Sequence, residues 1–124
     1  MQSLIVGDLR IEATEDSMVP SLQLLWKGKS NSRHPSERLG PYFRDALMAA
    51  DARHLPLELH FEKLEHLNSS TMTSIIQLIQ GARSRAVKLV LVYDPALRWQ
   101  KLSFDALRVF AKDDLLELRG CALG

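Results

Sequence analysis

The sequence is poor in most of the features that announce a specialised protein. It has one cysteine, Cys121, so no disulfide can form within the chain, and the composition suits a reducing compartment. It has no charge excess: 16 basic residues face 15 acidic ones, for a net charge of +1. No Lys/Arg run with interleaved aromatics stands out, so neither nucleic acid nor an anionic membrane is expected as a partner. No apolar run approaches the ~20 residues of a membrane span. The opening Met1-Gln2-Ser3-Leu4-Ile5-Val6-Gly7-Asp8 lacks the basic and apolar regions of a secretory signal, and a cytoplasmic location is expected. Catalytic signatures are missing too. There is no Gly-x-Ser-x-Gly, no Gly-x-x-x-x-Gly-Lys and no Gly-x-Gly-x-x-Gly, so an enzyme is not expected, and no cofactor is implied.

What remains is an ordinary folded composition, 46% hydrophobic and 25% charged over 124 residues. That length suits one domain, residues 1–124, with one core.

The informative stretch is Leu57 to Ile79. Leu57, Leu59 and Phe61 alternate with Glu58, His60 and Glu62, a strand buried mainly on one face. The period then changes: Met72, Ile75, Ile76 and Ile79 form a helical stripe. Between them, Asn68-Ser69-Ser70-Thr71 are small polar residues suited to a helix N-terminus, where orphan N–H groups and a positive partial charge await either a cap or a phosphate.

The other elements follow the same logic. Leu4 to Ala13 reads as a first strand interrupted at Gly7-Asp8, and Leu22 to Trp26 as a second that pairs with it as a hairpin. Glu15-Asp16-Ser17 and Pro20 mark the loop between these strands, and Gly28 to Arg33 reads as a mobile turn. A turn over 35–39 and a helix from Pro41 are expected, with Leu39, Tyr42, Phe43, Ala46, Leu47 and Ala50 on one face. Leu89 to Tyr93 is a continuous apolar run, a strand covered on both faces, ended by Asp94-Pro95. Ser103 is expected to cap a last helix, Leu115 to Leu118 to form an edge strand, and Arg119 to Gly124 to be tail. The order β-β-α-β-α-β-α-β predicts an α/β fold: a mixed, mostly parallel sheet of about five strands with helices mainly on one face.

This order, with hydroxyls at a strand-to-helix turn reading Leu67-Asn68-Ser69-Ser70, resembles the STAS family, the sulfate-transporter and anti-sigma-factor antagonist domains. In its bacterial antagonists the turn reads Asp-Ser-Ser-Gly. Asn68 stands where that aspartate would be, Ser69 at the phosphoacceptor serine and Ser70 at the second serine. Thr71 replaces the glycine and is expected to set its hydroxyl on the display surface. The resemblance implies a regulator that binds a serine-kinase/anti-sigma-type protein, is phosphorylated at Ser69 (second choice Ser70), and is reset by a metal-dependent serine phosphatase. Asn68, Ser69, Ser70, Thr71 and Trp99 are the expected partner-binding residues. Oligomeric state is left open, a dimer included.

Two other readings stay open: a scaffold module that is never phosphorylated, and a small-ligand or nucleotide binder at the same helix N-terminus. Remaining candidates have plainer accounts. His54, His60 and His66 recur every six residues without a close Cys or His pair, and surface or packing roles are expected rather than metal. Asp94 before Pro95 is a turn residue. Trp99, beside Arg98 and Lys101, is either a displayed anchor or a half-buried core residue.

Overall fold

The computed structural model describes residues 1–15 and 20–121. It contains seven strands, β1 (Leu4–Val6), β2 (Leu9–Glu15), β3 (Leu22–Ser30), β4 (Leu57–His60), β5 (Leu64–Leu67), β6 (Leu89–Tyr93) and β7 (Leu116–Gly120). The helices are α1 (Ser36–Ala52), α2 (Ser69–Ser84) and α3 (Arg98–Asp105), the last continued by a 3-10 turn over Ala106–Phe110. All strands join one sheet in the order β1-β2-β3-β4-β6-β7, with β5 also pairing β3. β1, β2 and β3 are antiparallel; every later pairing is parallel. The mixed α/β class matches expectation.

Seven strands instead of five come from two splits. Gly7 adopts φ +58, which lets the chain reverse, so Leu4 to Ala13 is a β1–β2 hairpin and not one interrupted strand. The Leu57 strand stops at His60, and after a short excursion Leu64–Leu67 re-enters the sheet as β5. β3 serves both: Leu22 to Leu25 pair with β4 and Gly28 to Ser30 with β5, with an irregularity at Gly28/Lys29. The segment Gly28 to Ser30, expected as turn, is therefore strand. Gly28 sits at φ +87, and a Cβ there would collide with the Asp8 carbonyl, which accepts from Lys29 N–H at 3.2 Å.

α1 begins at Ser36, not near Pro41, and contains Pro41 within it. The ring removes one backbone bond, but Pro41 is exposed, so the freed carbonyl can turn to water. A helix from Ser36 places Leu39, fully buried, in line with Tyr42, Phe43, Ala46, Leu47 and Ala50, which offsets the loss. α3 begins at Arg98, with Ser103 inside it rather than capping it. The Asp94 side chain accepts from Ala96 N–H at 2.9 Å, and this turn starts the helix early. Leu118, Arg119 and Gly120 belong to β7, an edge strand as expected; the remainder of the supposed tail from residue 122, and the 16–19 part of the β2–β3 loop, lie outside the described residues.

One core gathers the inner faces of β3, β4, β6 and β7 with α1, α2 and Phe104 of α3. At its centre Trp26, Phe61 and Phe104 form an aromatic chain with ring centroids 4.9 and 4.6 Å apart. Ile75 and Ile79 are buried, as the α2 stripe requires, with Met72 and Ile76 at its margin. The sheet's second face carries Gln23, Leu25, Lys27, Glu58 and His60, all half-buried, beside the buried Val90 and Val92 of β6. Among the described residues no helix is long and apolar enough to cross a membrane.

Candidate functional site

β5 delivers the chain to Asn68, whose extended backbone (φ −90°, ψ 173°) makes it the N-cap of α2. Its side chain is used at both ends. Oδ1 accepts from the Thr71 N–H at 2.9 Å and from the Thr71 hydroxyl at 2.7 Å. Nδ2 donates to the Ser32 carbonyl at 2.8 Å, while the Asn68 backbone N–H donates to the Ser30 carbonyl at 3.0 Å. An aspartate could supply the cap but not the bond to Ser32, since an ionised carboxylate has no donor. The amide therefore does specific work here: it ties the start of α2 to the chain leaving β3.

Thr71 is fully buried, a correction to its expected place on the display surface. Its Oγ1 lies 2.6 Å from Ser30 Oγ. Because the Thr71 hydroxyl donates to Asn68, Ser30 must donate to Thr71, and the chain Ser30, Thr71, Asn68 is satisfied in one direction. The third position of α2 faces the sheet, so its side chain turns inward to β3. In this arrangement Thr71 positions the turn and presents no group to a partner.

Ser69 and Ser70 are the exposed pair. The cap is made by Asn68, and neither serine hydroxyl has a hydrogen-bond partner among the described residues. The first turn of α2 carries no acidic residue, so its positive end is left uncompensated by the helix's own side chains. Two free hydroxyls and the first two helix N–H groups thus lie together in solvent.

Behind this turn the β4–β5 excursion is clamped by a residue that sequence reading passed over. Gln100, fully buried in α3, donates through Nε2 to the carbonyls of Phe61 (2.6 Å) and Leu64 (3.0 Å). Its Oε1 accepts from Asp94 N–H at 2.8 Å. All of its polar valence except one lone pair is spent on backbone that leaves the sheet, which explains a buried glutamine. The only sequence signal was a polar residue inside an amphipathic pattern. Neighbouring Trp99 is half-buried and packs on the core edge.

The histidines do not converge. His54 and His66 are exposed, and His54 occupies a left-handed position (φ 54) just past α1. His60, on the sheet's second face, stands between Glu58 (Nε2 to Oε1, 3.1 Å) and Glu62 (Nδ1 to Oε1, 3.4 Å). The nearby Glu62 carboxylate raises its pKa most, the hydrogen-bonded Glu58 adds to this, and partial burial opposes both. A second charged group joins β6 to α3: Lys101, Arg108 and the Tyr93 hydroxyl surround Asp105, whose carboxyl is lowered to about 2, first by Lys101 and then by Tyr93. Among the described residues no group of three or more His, Cys, Asp or Glu is placed to hold a metal ion.

Fold and site together define a class: a small mixed-sheet α/β domain that shows free hydroxyls at a separately capped helix start. No protein-family model and no curated protein matches the chain. Among solved structures it is similar to the activator SiaC, in the crystal structure of diguanylate cyclase SiaD in complex with its activator SiaC from Pseudomonas aeruginosa. The match has a TM-score of 0.62 at 19% identity and covers 98% of each chain. That likeness establishes the fold across the whole domain.

Proposed function

We propose that this protein is a cytoplasmic regulator that acts by reversible binding to a partner protein through the surface around the start of α2, and that phosphorylation of Ser69 switches the binding. The observation that carries the reading is the division of labour at the turn. Asn68 alone caps the helix and Thr71 is locked inside, so Ser69 and Ser70 have no structural duty and stay exposed. A phosphate on Ser69 would bring roughly −1.5 to −2 charges to a helix end that favours anions, so the domain stays folded while the partner meets a changed surface.

The chain has no catalytic step of its own in this scheme. A serine kinase of the anti-sigma type adds the phosphate, a metal-dependent serine phosphatase removes it, and Asn68, Ser70 and Trp99 complete the contact surface. The whole-chain fold likeness to an activator solved on its target enzyme supports the partner-binding part of the reading.

The test is capture from cells with tagged wild-type, Ser69→Ala and Ser69→Asp chains, with intact-mass measurement of each. Wild type and Ser69→Ala should retain the same partner, Ser69→Asp should lose it, and an added phosphate should appear on wild type alone. Retention by Ser69→Asp, with no phosphate at Ser69 or Ser70, would replace the switch with an unmodified binding module.

A further inference from the structure

The two outermost strands of the sheet differ in length and in what meets their free edges. At β1 the Ile5 carbonyl accepts from Arg38 at 3.5 Å, and the strand is only three residues long. At the other edge β7 has five residues and pairs only with β6. Leu115 O accepts from Leu89 N–H at 2.8 Å and Cys121 N–H donates to Tyr93 O at 2.7 Å, which fixes the alternation. Residues 115, 117, 119 and 121 turn their backbone groups toward β6. Leu116, Leu118 and Gly120 turn theirs outward, where no strand among the described residues meets them.

Edge charges usually block strand addition. Those of β7 do so selectively. Glu117 and Arg119 share the sheet's second face and are partly exposed, at 38% and 50%. A second copy running antiparallel about Leu118 would place Glu117 opposite Arg119 of the other copy, twice. These are the non-hydrogen-bonded positions, where side chains come closest. The same register brings Leu118 opposite its own copy and Leu116 opposite Gly120, so all three outward residues exchange backbone bonds. A parallel approach of two such edges would need an odd offset and would invert one copy's faces, setting Glu117 and Arg119 beside the leucines of the other copy. The edge is self-complementary in the antiparallel orientation alone. On the inner face Leu116 and Leu118 would continue the apolar layer. Val109, 64% exposed, lies on the 3-10 turn that packs against this strand.

We infer that β7 is a homodimerisation edge: two copies join antiparallel about Leu118 into one continuous sheet, with reciprocal Glu117–Arg119 pairs setting the register. A five-residue edge without a large apolar face suits a weak, reversible dimer, with a dissociation constant on the order of 10–100 μM. Here Glu117, now paired with Arg119 of its own strand at 2.7 Å and with Lys88 at 3.4 Å, would keep Lys88 and exchange part of the Arg119 contact for the same group across the axis. The dimer would display two Ser69 turns at once and so favour a two-fold partner.

Sedimentation equilibrium over a concentration series tests this. The wild-type mass should climb from the 14.0 kDa of one chain toward twice that value. Arg119→Glu and Glu117→Arg, which oppose like charges, should each stay monomeric over the same series, and the double exchange Glu117→Arg/Arg119→Glu should regain the dimer. As a readout without substitution, amide exchange at Leu116, Leu118 and Gly120 in the wild type should slow as concentration rises. Each of three results overturns the inference: a wild type that stays monomeric, single reversals that dimerise as well as wild type, or outward amides indifferent to concentration.

Discussion

Asn68 and Thr71 are joined twice, through the Thr71 backbone N–H at 2.9 Å and its hydroxyl at 2.7 Å, both to the one Asn68 oxygen. A third contact, Asn68 Nδ2 to the Ser32 carbonyl, makes the same side chain the bolt between α2 and the end of β3. Asn68→Ala should lower stability by about 1–3 kcal/mol in chemical denaturation, combining a lost cap with unpaired neighbours. Asn68→Asp should cost less, because the cap survives, and should raise phosphorylation at Ser69 if a carboxylate there assists the transfer. An Asn68→Ala chain as stable as wild type would show the bolt to be idle.

Ser69 and Thr71, two residues apart, should respond oppositely. Ser69→Ala makes no difference to any bond in the turn and should shift stability by no more than ~0.5 kcal/mol. Thr71→Val keeps the shape but strips Ser30 of its acceptor and Asn68 of a donor in a buried place, and should cost about 1–3 kcal/mol. Thermal and urea unfolding of the two variants decide between them; a silent Thr71→Val would contradict the buried hydroxyl chain.

Gln100 makes a sharper case. Gln100→Leu has nearly the right volume but leaves the Asp94 N–H without its partner, removes a donor from the Leu64 carbonyl and leaves the Phe61 carbonyl only the Leu64 N–H, for a loss of about 2 kcal/mol. The excursion it clamps leads directly into β5 and the Asn68 turn. Amide exchange at Leu64 to Leu67 should therefore quicken more than exchange in β6, and uniform behaviour would rule out a local clamp.

His60 makes stability depend on pH. Its folded pKa is raised above the ordinary value near 6.5, so its contribution is complete below about pH 6.5 and declines as pH rises through the folded value. Glu58 and Glu62 are the charged groups that face it. The Tm gap between wild type and His60→Gln should be widest at about pH 5–6 and should shrink toward pH 8–9. A gap that widens with pH would mean that the imidazole is held neutral.

Ala86 offers a gain. It lies at φ 55 just past α2, with Val87 N–H donating to Ala82 O at 2.9 Å and Ala86 N–H to Arg83 O at 3.1 Å, the double closure that ends a helix in a left-handed residue. Ala86→Gly removes the Cβ penalty and should stabilise the domain by up to ~1 kcal/mol despite the added chain entropy. A measured loss would show that the Ala86 methyl is needed in its place.

Much of this molecule follows from local pattern alone. Alternation at Leu57, Leu59 and Phe61, the Ile75–Ile79 stripe and the Leu89–Tyr93 run each name an element, because side-chain periodicity is set by backbone geometry. The turn before α2 was legible for the same reason: small polar residues satisfy a helix start. What needed the tertiary structure was every choice between chemically similar neighbours. Four consecutive polar residues carry no mark of which will face inward. Ser30, forty-one positions from Thr71, decides it by offering a buried hydroxyl at 2.6 Å. Likewise Pro41 reads as a helix start until Leu39 must be buried, and nothing local marks Gln100 until two carbonyls in the β4–β5 excursion require a donor. Periodicity is a property of the chain, whereas the satisfaction of a buried polar group depends on residues that only the fold brings together.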